Sequence, residues 1–122
     1  MDICIAIALS SVLLRLTSPV TLAWQHSVEH FELEEVWAAT PLGLRLVEVR
    51  TEGMGAGIDL PADAQAVGRQ WRFTPALPPQ QQVVFANSHY AAGYRVCSGG
   101  VCRRIDNQDQ TLTMSRCDPP LP

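Results

Sequence analysis

A chain of 122 residues holds one domain, and losing an N-terminal segment through Ser18 would leave 122 − 18 = 104 residues, still enough for one modest core. With 9 basic against 12 acidic residues, a net charge of −3, and no Lys/Arg cluster, it carries no electrostatic footprint for a phosphate backbone, so no nucleic-acid partner is expected. At 47% hydrophobic and 17% charged it is too apolar for disorder.

The longest apolar run comes first. Residues 3–14 form a stretch of twelve, the length of a signal-peptide core and short of the roughly 20 that span a bilayer. We read residues 1–18 as an export signal. The short segment before the run holds Asp2 and no Lys or Arg, so an uncleaved anchor through residues 3–14 is the variant of that reading. An N-terminal core strand or helix is the alternative.

Residues 20–29 alternate, with Leu22, Trp24, His26 and Val28 on one face and Thr21, Ala23, Gln25, Ser27 and Glu29 on the other, the period of a half-buried strand. Extended stretches at 33–39 and 44–51 are joined by Thr40-Pro41-Leu42-Gly43. Proline second and glycine fourth are what a type I turn prefers, so the two stretches form a hairpin. Residues 44–50 are apolar on both faces, which expects an interior position in the sheet.

Beyond the glycine-rich segment 53–57, short apolar runs at 71–74, 83–86, 94–97 and 102–105 are each bounded by turn formers. Six or seven short strands without helical periodicity predict an all-β fold, a small antiparallel sandwich or partly open barrel. The β domain is expected over 19–106, followed by a flexible polar and Pro-rich tail, 107–122.

Cys97-Ser98-Gly99-Gly100-Val101-Cys102 sets two cysteines symmetrically about a Gly-Gly loop that tolerates positive φ. Cys97 then faces Cys102 with Cα atoms about 4.5 Å apart, within the range a disulfide bridges. Closing so short a loop contributes roughly 2 kcal/mol in the chain-entropy account. Half of a zinc site is the competing reading, but no second Cys or His pair stands at ligand spacing. Cys4 is expected to leave with the leader, and Cys117 remains as an odd thiol in the tail. A disulfide is the mark of an oxidising compartment, which favours export.

His26-Ser27-Val28-Glu29-His30 spells H-x-x-E-H, the inverted zinc-protease motif. That chemistry needs a helix to bring both imidazoles to one ion, whereas residues four apart on a strand lie about 13 Å apart. His26 shares the apolar face of its strand, as a core histidine would. If the chain reverses at 30–32, Glu34 or Glu35 comes opposite His26 or one place from it, and a buried His-carboxylate pair results. Gly53-Met54-Gly55-Ala56-Gly57 lacks the Lys-Ser/Thr end and following helix of a phosphate loop, so it reads as a chain reversal, with a backbone nest for a carboxylate as the functional alternative.

Taken together, Trp24-Gln25-His26-Ser27-Val28-Glu29, Glu34-Glu35-Val36-Trp37, Gly43 to Glu48, Gly53 to Gly57 and Cys97 with Cys102-Arg103 resemble the bacterial family of domain of unknown function 1850. The likeness covers roughly residues 20 to 105. It implies an exported protein found beside TAXI-type TRAP transporter permeases, and hence an accessory role in solute uptake with a TRAP permease or solute-binding protein as partner. No catalytic residue carries over from it. The expectation is therefore a non-enzymatic binding or accessory module of the cell envelope, facing the periplasm. Its ligand or partner contacts are His26, Ser27, Glu29, Glu34, Glu35, Gly55 and Gly57, with no cofactor or metal. The alternative is a small metal-dependent hydrolase using His26 and nearby carboxylates.

Overall fold

The structure, a computed structural model, describes residues 1–7, 11–25, 31–52, 60–87, 93–105 and 110–118. Alternation of apolar and polar residues with turn formers between the runs builds eleven strands among these residues: β1 (Asp2–Ile7), β2 (Ser11–Thr17), β3 (Val20–Gln25), β4 (Glu32–Thr40), β5 (Gly43–Thr51), β6 (Gln65–Val67), β7 (Gln70–Phe73), β8 (Gln82–Asn87), β9 (Tyr94–Ser98), β10 (Val101–Ile105) and β11 (Gln110–Arg116). They form two antiparallel sheets, one of order β2-β1-β11-β8 and one of order β10-β9-β3-β4-β5-β7-β6. The all-β antiparallel expectation holds, as an open sandwich of two sheets.

The core lies between the sheets. Ile3 and Ile5 of β1, Leu112 and Met114 of β11 and the half-buried Val83 and Phe85 of β8 face Val20 and Leu22 of β3, Trp37 of β4, Leu44 and Leu46 of β5 and Val96 of β9. Each fully buried aliphatic side chain contributes roughly 1.5–3 kcal/mol. The chain passes from one sheet to the other between β2 and β3. There Ser18 Oγ accepts a hydrogen bond from Ala39 N at 2.9 Å, and Ser98 Oγ donates to the Thr17 carbonyl at 2.5 Å.

The β4–β5 hairpin turns where expected, with Thr40 opposite Gly43. Gly43 has φ 125°, and a Cβ there would lie 2.5 Å from the Gln80 carbonyl oxygen, because Leu44 and Gln80 exchange backbone hydrogen bonds of 2.7 and 2.8 Å. β5 lies between β4 and β7, the interior position expected, but its outer face is charged: a bulge at Val47 brings Leu44, Leu46 and Val49 together into the core and leaves Arg45, Glu48 and Arg50 outside. At the β9–β10 turn Cys97 faces Cys102 and Ser98 faces Val101, and the cysteines are bonded with Cα atoms 4.0 Å apart. Gly99 and Gly100, at φ 58° and 81°, supply the left-handed pair that such a two-residue loop requires.

Both ends of the chain differ from expectation. Residues read as a leader form β1 and β2, with Ile3 and Ile5 fully buried, and residues read as a flexible tail form β11, paired on both sides with β1 and β8. The boundaries drawn at 18/19 and 106/107 thus fall between strands of one sandwich. Nor is Cys117 an odd thiol: it is bonded to Cys4, with Cα atoms 5.0 Å apart. The pairing of Cys4 with Ser115 brings the end of β11 beside β1, and Cys117 N donates to the Asp2 carbonyl. A run of apolar residues about twelve long serves a signal core and a pair of inward-facing strands equally well, which is why composition did not separate them.

Candidate functional site

One carboxylate faces the core. In β4, Leu33, Glu35 and Trp37 alternate onto the inner side of the sheet, and the register sets Glu35 between Leu22 of β3 and Val49 of β5. A β-bulge follows at once: Val36 faces Glu48 while Trp37 faces Leu46, leaving Val47 as the extra residue. Bulges bend a strand and re-aim its side chains. Across this one, Trp37 Nε1 donates a hydrogen bond to Glu35 Oε1 at 3.2 Å.

Glu35 opens onto a hollow of about 250 Å³ between the sheets, lined also by Leu22, Trp24, Trp37, Val83, Val84, Phe85 and Tyr94. The lining is aromatic. Tyr94 meets Trp24 at a centroid distance of 6.1 Å and Phe85 edge-on at 4.8 Å. Among the described residues no cation stands within ion-pair distance of Glu35. Burial raises the Glu35 carboxyl above its ordinary value of 4.5, offset in part by the Trp37 hydrogen bond. Burial, and then the Glu35 charge, likewise raise the Tyr94 phenol.

Glu34 points the other way. On the outer face it lies 3.8 Å from Arg50 and accepts from Gln70 Nε2 at 2.9 Å, while Arg50 Nε reaches Glu48 at 2.6 Å. Nearby, Arg95 pairs with Glu32 at 2.5 Å beside a polar hollow of about 210 Å³. Glu34, Glu48 and Arg50 on one side and Glu32 with Arg95 on the other are thus already paired with one another.

The expected site residues therefore divide. Glu34 and Glu35 take opposite faces of one strand, while His26, Ser27, Glu29, Gly55 and Gly57 lie outside the described residues. The expected apposition of Glu34 or Glu35 with His26 is corrected by the register: Glu34 faces Ala23 and Glu35 faces Leu22. Gln25 is the partner of Glu32 in that register. Trp37, Phe85 and Tyr94 were not singled out as site residues, although inward alternation beside Glu35 was a readable sign for Trp37. Among the described residues no three His, Cys, Asp or Glu side chains gather as a metal site would require.

An open two-sheet sandwich with a hollow between its sheets and, among the described residues, one inward carboxylate is the class that fold and geometry define. Residues 20–105 match the family described as a domain of unknown function (DUF1850), and the chain belongs to that family. All eight residues lining the hollow fall within the matched span. No curated protein and no solved structure matches the chain.

Proposed function

We propose that this protein is a non-enzymatic binding module of the cell envelope, facing the periplasm, that takes a small ligand between its sheets. The hollow at Glu35 carries the reading: among the described residues it is an apolar, aromatic-lined cavity anchored by a carboxylate, and apolar cavities with a few placed polar groups are the usual form of a small-molecule site. Two disulfides support an oxidising compartment, since cytosolic thiols are kept reduced. Among the described residues no helix is long and apolar enough to cross a membrane.

An accessory role beside a TRAP-type transporter is the partner proposal, and it rests on the family resemblance. Affinity purification of the tagged protein from native membranes and periplasm, followed by mass spectrometry under denaturing and non-denaturing conditions, tests both parts. A co-purifying TRAP permease or solute-binding protein supports the accessory role, and a bound small-molecule mass supports the binding role. A solitary protein without added mass counts against the proposal.

A further inference from the structure

Resting on the reading of the hollow as a ligand site, we infer that its ligand is an organic cation, an alkylammonium group held against Glu35 among the rings of Trp24, Trp37, Phe85 and Tyr94. The chemistry of the lining selects the charge. Aromatic rings present a negative face, and rings grouped around a carboxylate are the arrangement that recognises quaternary and alkylated ammonium groups. An anion would meet both the Glu35 charge and the ring faces unfavourably. A neutral apolar ligand would leave the carboxylate, among the described residues, with the Trp37 hydrogen bond as its compensation. A polyol needs more polar partners than a lining dominated by Leu22, Val83, Val84 and rings supplies. Size is sufficient: a cavity of about 150 Å³ accepts benzene, and this one measures about 250 Å³.

Titration of the full chain with choline and with its neutral carbon isostere 3,3-dimethyl-1-butanol, followed by tryptophan fluorescence and calorimetry, separates charge from shape. Choline should bind at least about ten-fold more tightly than the isostere, a difference of about 1.4 kcal/mol. Glu35→Gln should abolish the preference while circular dichroism stays unchanged. The wild-type comparison decides the matter even if that variant fails to fold. Equal binding of the two probes would overturn the cation while leaving the ligand cavity standing. Failure of choline, the isostere and benzene alike to enter would overturn both.

Discussion

Trp37 Nε1 donates to Glu35 Oε1 at 3.2 Å across a β-bulge, so an acid on the inner side of a sandwich keeps one charge-stabilising contact where solvent is scarce. It sets a carboxylate against the apolar core, and that placement has a measurable cost.

Glu35 should make stability fall as pH rises. Burial lifts its carboxyl above the ordinary 4.5, so in the window above that value the folded protein holds a proton the unfolded chain has released. The contribution is fully present below the unfolded value and is lost as pH rises through the folded one. Glu35→Gln should flatten this dependence and be the more stable protein at neutral pH, because the neutral amide avoids the desolvation of a charge. Urea denaturation across the acid-to-neutral range checks it, and parallel curves for the two proteins would contradict it. The Tyr94 phenol should also titrate lower in the variant, because the Glu35 charge that raises it is gone.

Glu34→Ala supplies the contrast. On the outer face its half-buried carboxylate accepts from Gln70 Nε2 at 2.9 Å and lies 3.8 Å from Arg50, so its removal costs about 1 kcal/mol, the contribution of one such hydrogen bond. A thermal melt should show a small loss.

Gly43→Ala should destabilise strongly. The residue sits at φ 125°, and the added Cβ would meet the Gln80 oxygen at 2.5 Å. A cost of at least about 2 kcal/mol is expected from strain of this kind, lowering Tm by roughly 8 °C or more. A wild-type Tm would mean that the Leu44–Gln80 contact is absent in solution.

The two disulfides should differ in value. Cys4–Cys117 closes a separation of 113 residues and Cys97–Cys102 one of 5. In the chain-entropy account the first contributes about 4.7 kcal/mol and the second about 2. Paired Cys→Ser variants of each, compared by denaturation, should keep that order. Peptide mapping without reduction should recover both links, and a free Cys117 in protein from its native compartment would contradict the pairing of β1 with β11.

How much of this was legible follows from the range of each signal. Thr40-Pro41-Leu42-Gly43 and Cys97 to Cys102 are local patterns, and both hairpins lie where those residues demand. The inward aim of Glu35 was also written locally, in Leu33-x-Glu35-x-Trp37, since alternation carries a residue between two inward apolar neighbours to the same face. What escaped is non-local. Nothing near Cys4 or Cys117 announces a partner 113 residues away, and the apolar content of residues 3–14 does not announce that β1 pairs with both β2 and β11. β6, Gln65–Val67, is three exposed residues with no pattern to read.

The most direct test of the account is an indole NMR titration of the three tryptophans with choline. Trp24 and Trp37 line the hollow and Trp37 Nε1–H points at Glu35, whereas Trp71 lies on β7 and is not part of the lining. The account predicts saturable shifts of the Trp24 and Trp37 indole signals with Trp71 unmoved. Shifts confined to Trp71, or none at any indole, would contradict it.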